Sequence, residues 1–299
     1  MKIRKAKHKL PSKFESALAA VYESEFGFFS KKFLFDLQHV FEADASDDVP
    51  IEVLKRLESE LKKWGKRCGR ELKNELAKLP KNHPVRCPIS LLGTRGYGRL
   101  EVAHTRTLAC LLNPKEAHGF GNALLDSLLR HLRKDRELPP FDVEEVDAER
   151  FYRNSDEEDA GRTDIWIELS WRKGTNRKRW LVVIEAKVDA SEGNEQLDRY
   201  GKEIKKWLAE HKGTGHEVYQ IFLTREGDEA TTGKRWKPLS FSNLVRVFCD
   251  TANSLTAKPG YHFLRFYLAG VLKDILDLPI GQGNGQQNQY KLLGFLKGS

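Results

Sequence analysis

The chain has 299 residues, 39% of them hydrophobic and 31% charged, with a net charge of +8. That is the composition of a globular chain with a buried core, and it excludes a disordered one. No apolar run approaches the roughly 20 residues that span a bilayer. The basic N-terminus, MKIRKAKHKL, lacks the apolar stretch of a signal peptide, so a cytoplasmic protein with no membrane partner is expected. The basic surplus is local: residues 1–100 hold 21 Lys+Arg against 13 Asp+Glu, and residues 101–299 hold 30 of each. A polyanionic partner is one reading of this imbalance and a solubilising surface is the other. Cys68, Cys87, Cys110 and Cys249 form no CxxC pair, which argues against structural zinc. Cys110 and Cys249 stand in apolar helical contexts and are expected to be buried thiols.

In chain order, residues 1–12 form a basic arm, and apolar spacing predicts a helix over 14–41. A second helix is predicted over 51–79, with a basic face that includes Lys62, Lys63, Lys66, Arg67 and Arg70. LPKNHP (79–84) reads as a linker. Helices are predicted over 100–112, stopped by Asn113-Pro114, and over 121–134. Strands follow at 143–152, 163–171 and 180–188, with a hairpin turn, RKGTNRK, joining the last two. A helix over 193–211 leads to a strand at 218–224 and an extended piece at 236–241. Helices over 242–255, with Ser242 as N-cap, and 261–276 close the domain, and GQGNGQQNQ (281–289) has the composition of a flexible tail. This order predicts an α/β fold with a mixed central sheet, an αβββαβ core, and helices on both faces. The expected division is a basic helical region over 1–90, a main domain over 91–280 and a flexible tail over 281–299.

The chemistry concentrates in two strands, RTDIWIELSW (162–171) and WLVVIEAKV (180–188). Side chains alternate across a strand, so Asp164 and Trp166 share one face, as do Glu185 and Lys187. A symmetric hairpin sets Asp164 almost across from Lys187 and Glu185 across from Trp166, which puts two carboxylates and an ammonium on one face. A one-residue slip would bury the charges among the apolar set. Hard oxygen ligands hold a divalent cation such as Mg²⁺ or Mn²⁺, and such an ion polarises a phosphoryl oxygen and lowers the pKa of a bound water. Asp164 and Glu185 are the candidate ligands, with the Ala186 carbonyl beside them, and Lys187 is suited to orient or deprotonate water or to stabilise developing charge. An isolated Glu-x-Lys is weak by itself, and an ordinary cross-strand ion pair reads the same way.

A resemblance gives these residues more specific meaning. EAKVDASEGNEQLDRY (185–200) resembles the segment of PD-(D/E)xK nucleases in which the catalytic strand leads to a helix carrying Gln-x-x-x-Tyr, here Gln196 and Tyr200. Residues 101–125 resemble the opening helix of one prokaryotic family in that superfamily, through Glu101, His104, Leu111, Leu112, Pro114, His118, Gly119 and Gly121. WKPLSFSNLV (236–245) is similar to that family's C-terminal part. The resemblance covers about residues 90–275 and leaves 1–85 unaccounted for. It implies a restriction-endonuclease-like fold and a metal-dependent nuclease, with Glu101 as the first-helix acid near the metal, Asp164 as the variable-strand acid, Glu185 and Lys187 as the paired motif residues, and Gln196 supporting the site or touching the backbone phosphates. Thr163 stands in place of the motif's proline, and Ala186 where many relatives carry Asn. A DNA endonuclease in prokaryotic defence or restriction is the implied role, alone, as a homodimer or with an activating protein. A catalytically silent or partner-gated nucleic-acid-binding protein of the same fold is the alternative.

His104 shares the helical face of Glu101 and reads either as its orienting partner or as a structural histidine. Gly119 and Gly121 read as turn formers. The hairpin Arg172–Arg179 holds five cations, among them Arg177, Lys178 and Arg179, and lies more than about 20 Å from Asp164 at about 3.3 Å per residue. Flanking duplex could bind there, and a solvated turn is the other reading. The same pair of readings holds for Lys62–Arg70.

Overall fold

The computed structural model describes residues 51–133, 138–152, 161–173, 176–189, 196–212, 215–232, 235–280 and 289–298. The arm at 1–12 and the helix expected over 14–41 lie outside them. The chain divides into two compact units, one drawn from 1–80 and 282–299 and the other from 81–281.

The larger unit is built on one sheet. The run Trp-Leu-Val-Val-Ile-Glu-Ala-Lys, 180–187, is buried throughout, as a strand paired on both edges and covered on both faces must be. This strand is β3 (Asn176–Lys187); β1 (Asp142–Tyr152), β2 (Gly161–Lys173), β4 (Gly215–Thr224) and β5 (Trp236–Ser240) complete the order β1-β2-β3-β4-β5. The pairs β1–β2 and β2–β3 are antiparallel, and β3–β4 and β4–β5 are parallel. In the β2–β3 hairpin Lys173 faces Asn176 and Ile165 faces Ile184. Continued by one residue, that register sets Asp164 level with Glu185, not with Lys187 as expected. With Lys173 paired to Asn176, the hairpin's centre falls one residue earlier than expected. The resulting shift of two preserves the facing of every side chain.

Among the described residues seven α-helices are present. They are α1 (Ile51–Lys78), α2 (Glu101–Leu112), α3 (Ala123–Arg133), α4 (Gln196–Glu210), α5 (Phe241–Ala252), α6 (Tyr261–Gly270) and α7 (Gln289–Lys297). Helix α4 is the crossover between β3 and β4, and its Leu197, Tyr200, Ile204 and Trp207 pack on Trp166, Leu181, Val183 and Phe222. On the other face Arg133 of α3 lies 4.9 Å over the Trp180 ring, and α2 packs on β1 and β2. The fold is mixed α/β, as expected of a restriction-endonuclease-like chain. No helix among the described residues is long and apolar enough to cross a membrane.

Four local expectations need correction. The N-cap of α5 is Ser240, not Ser242: Ser240 ends β5 in extended conformation, and its hydroxyl accepts from Asn243 N at 3.0 Å. The last helix of the unit stops at Gly270 and continues as a π-turn over Val271–Ile275, which carries Asp274 to the Ser90 hydroxyl. Cys110 is half-buried, whereas Cys249 and Cys87 are buried. The C-terminal segment is not a flexible tail at 289–297. It is helix α7, which buries Leu292, Leu293 and Phe295 and meets α1 through the Trp64–Tyr290 ring contact at 5.7 Å and the Lys297–Glu71 ion pair at 2.5 Å. A nine-residue helix is marginal alone and needs that partner.

Candidate active site

The ladder between β2 and β3 ends at Ile165–Ile184, whereas β3 stays paired with β4 as far as Lys187–Thr224. Beyond that fork the Ala186 and Val188 amides go to side-chain carboxylates. The Asp164 carboxylate takes the first of them, accepting from Ala186 N at 2.8 Å. Glu185 and Lys187 project from the same stretch, and Lys187 Nζ lies 2.5 Å from Glu185 Oε1.

Glu101 reaches this fork from the first turn of α2. Leu100 supplies no side-chain cap there, so the Glu101 charge complements the open helix end. Its Oε1 accepts from Lys187 Nζ at 3.1 Å and its Oε2 from Val188 N at 3.4 Å. Lys187 therefore bridges the helix acid and the strand acid. Three carboxylates and one ammonium converge where Asp164 is 9%, Glu185 0% and Lys187 8% exposed.

Burial and crowding set the charges. Asp164 is pushed up to about 8, first by burial and then by the Glu185 charge, against the opposing Ala186 N–H and Lys187. Burial raises Glu185 as well, opposed chiefly by Lys187. Burial works against the charge of Lys187, yet Glu185, Glu101 and Asp164 together hold its pKa above the ordinary lysine value. Lys187 Nζ meets Glu185 Oε1, and hydrogen bonding from Lys187 and Tyr200 opposes the burial. The Tyr200 hydroxyl also donates to Arg162 O at 2.6 Å. A buried carboxylate with an ammonium at this distance is costly to leave unpaired.

A family model described as the PD-(D/E)XK nuclease superfamily matches residues 91–268. The chain belongs to that superfamily. No curated protein and no solved structure gives a match. The match spans the whole fork, from the loop before Glu101 to α6.

His104 is structural: it is buried, its Nε2 meets Gly98 O at 2.8 Å, and its ring packs between Phe241 and Tyr267. His118 accepts from Phe120 N at 3.0 Å through Nδ1 and holds the Asn113 carbonyl at 2.9 Å through Nε2. With Gly119 at φ 74° and Gly121 at φ 56°, it closes the turn after α2, and those glycines are turn formers. Tyr200 is a buried core residue, its ring 6.0 Å from that of Trp236. The side chain of Gln196 lies outside the described residues; its backbone opens α4.

The basic candidates are partly engaged within the chain. Arg177 pairs with Glu144, and Arg179 lies 4.0 Å from Glu168. In α1, Lys62 pairs with Glu58, Lys63 with Glu60 and Arg67 with Glu71, at 2.8, 2.7 and 3.0 Å. Lys66 and Arg70 make no ion pair among the described residues.

One group at the fork escaped sequence reasoning. Arg99, two residues before Glu101, holds both oxygens of Asp189, two residues after Lys187, and also the Asp274 carbonyl at 2.9 Å and Asp277 at 3.3 Å. Arg99 lowers the pKa of Asp189. Gly93 and Gly98 leave room for Asp274, since a Cβ at either would meet its side chain within 3.0 Å. A single arginine thus ties the start of α2 to the end of β3.

Proposed function

We propose that this protein is a divalent-metal-dependent nuclease that hydrolyses phosphodiester bonds in DNA, with Asp164, Glu185, Lys187 and Glu101 as its reactive group. The observation that carries the reading is the fork: the buried Asp164 and Glu185 carboxylates beside the buried Lys187 ammonium, in a chain of a nuclease superfamily. Although Glu101 lies at the same fork, its oxygens are taken by Lys187 Nζ and Val188 N, and among the described residues no group of three His, Cys, Asp or Glu is arranged to hold a metal. The donor set that fits Mg²⁺ or Mn²⁺ is accordingly two carboxylates, Asp164 and Glu185, with the Ala186 carbonyl, and water completes the shell of such ions. When bound, the cation polarises a phosphoryl oxygen and acidifies a water.

The chain's own residues do the rest. Lys187 neutralises the carboxylate pair and presents N–H donors to charge that grows on the phosphoryl oxygens. Glu101 holds Lys187 Nζ and so fixes its direction. Asp164, held by Ala186 N–H, keeps β2 and β3 in register at the fork. Gln196 opens α4 on the same side and is proposed to support the site or contact phosphate. Arg177, Lys178, Arg179 and the basic face of α1 are proposed to bind backbone phosphates, which confers affinity without sequence specificity. A role in prokaryotic defence is the biological setting proposed from the superfamily resemblance.

The test is a substrate panel: supercoiled plasmid, linear duplex, single-stranded DNA and RNA, each with Mg²⁺, Mn²⁺ or EDTA. Metal-dependent cutting of DNA is expected. Binding without cutting on every substrate contradicts the enzymatic reading and favours a silent or partner-gated binder.

A further inference from the structure

We infer that Glu149 is a positioning residue that locks the helix carrying Glu101 against the strand carrying Asp164. The inference rests on the proposed reactive group, but Glu149 lies outside it and makes no hydrogen bond or ion pair with its four side chains among the described residues.

The observation is a break in β1. Glu149 has φ 58°, a left-handed conformation that a residue with a Cβ adopts only where its surroundings enforce it. Ala148 faces Ile165 and Arg150 faces Thr163, so Glu149 stands beside Asp164 on the far side of β2 from Glu185. The left-handed turn reverses the alternation of the strand. Strict alternation puts Arg150 with Ala148 on the face of Ile165. Instead its guanidinium lies 4.7 Å over the Trp166 ring and pairs with Glu145 and Glu168 at 3.1 and 3.4 Å, all on the Trp166 face. Glu149 takes the opposite side and accepts from the Thr105 hydroxyl at 3.1 Å.

Thr105 explains why the direction matters. It is a buried polar residue of α2, one helical turn after Glu101 and therefore on the same side of the helix. Its only other described hydroxyl acceptor is the Val102 carbonyl of its own helix, at 3.1 Å. The Glu149 bond is thus a cross-tie from α2 to the sheet at the level of Asp164. It complements the Arg99–Asp189 tie at the other side of Glu101. Together they fix the helix acid from both directions, and a site of this kind needs its groups held within about 0.5 Å.

The experiment compares Glu149→Gly, Glu149→Gln and Thr105→Val in the full-length protein, by steady-state plasmid cleavage, thermal unfolding and hydrogen exchange. Glycine suits the left-handed backbone, so Glu149→Gly is expected to keep Tm or raise it by a few degrees. Its kcat is expected to fall about 10- to 100-fold, the range that small misplacement of reacting groups produces, with KM little changed. Amide exchange over 101–105 and at Val188 is expected to accelerate at least about tenfold, while β4 stays as in wild type. Thr105→Val should reproduce this, and Glu149→Gln, which keeps the acceptor, should restore most of it. Unchanged exchange and kcat in Glu149→Gly overturns the inference. So does uniform acceleration with a lowered Tm, which marks a purely structural residue, and so does a Glu149→Gln variant that behaves like glycine. If the wild-type protein cuts nothing, the nuclease reading is what fails, and the exchange pattern still decides the role of Glu149.

Discussion

Lys187 pairs with both Glu185 and Glu101 at the fork, so Lys187→Met is the most informative perturbation of the metal-free protein. Its Nζ lies 2.5 Å from Glu185 and 3.1 Å from Glu101. At an effective dielectric of about 20 those contacts represent roughly 7 and 5 kcal/mol of gross attraction, most of it offset by desolvation. Truncating one partner of such a buried pair typically costs about 3–5 kcal/mol. A second estimate sets a ceiling. Glu185 can escape by binding a proton, at about 1.4 kcal/mol for each pH unit above its ordinary pKa of about 4.3, hence about 4 kcal/mol at pH 7.5 and under 2 kcal/mol at pH 5.5. Asp164, already pushed up to about 8, adds little. The sign follows: with Lys187 gone the folded-state pKa of Glu185 rises further, so the defect is absent below about pH 4 and grows upward. At about 2–4 °C per kcal/mol for a domain of this size, Tm should fall roughly 8–16 °C at pH 7.5. The assay is thermal and urea unfolding by tryptophan fluorescence in EDTA at both pH values. A variant as stable as wild type at pH 7.5, or a loss equal at both pH values, refutes the electrostatic account of the fork.

Other expectations follow from the same geometry. Because the Asp164 pKa is raised to about 8, its stabilising contribution in the metal-free protein is complete below about pH 4 and lost as pH rises through about 8. Metal binding must displace that proton, so Mn²⁺ affinity by calorimetry should climb from pH 6.5 to 8.5, and a flat profile contradicts it. His104→Ala, which removes the Gly98 tie and two ring contacts, should destabilise by about 2–3 kcal/mol in denaturant unfolding. Arg177→Ala with Lys178→Ala should weaken DNA binding, reduce the salt slope by up to about 2 and leave kcat unchanged; an unaltered slope removes the hairpin from the interface.

Much of the fork was legible because strand chemistry has period two. The alternation of Asp164–Trp166 against Ile165–Ile167 gave the correct faces even though the register was two residues off, since an even slip preserves facing. The Lys173–Asn176 pairing was not readable, because RKGTNRK accommodates several loop lengths. Helix α2 and its His-Gly-x-Gly turn were visible through Asn113-Pro114 and the two glycines. Arg99–Asp189, 90 residues apart, and Thr105–Glu149, 44 apart, carry no periodic signal and exist only once the sheet is assembled. Nothing local in the Glu149 segment marks a left-handed backbone, as a glycine would have done. Helix α7 has the sequence of a tail, because Leu292, Leu293 and Phe295 become a core face only against α1.

The most direct measurement is plasmid cleavage by wild-type protein beside Glu185→Ala and Lys187→Ala, each confirmed folded, with Mn²⁺ and with EDTA. The account predicts cutting by wild type in Mn²⁺ alone and losses of at least about 10²–10³-fold in both variants. Equal cutting by the variants, or cutting that survives EDTA, would place the chemistry elsewhere in the chain.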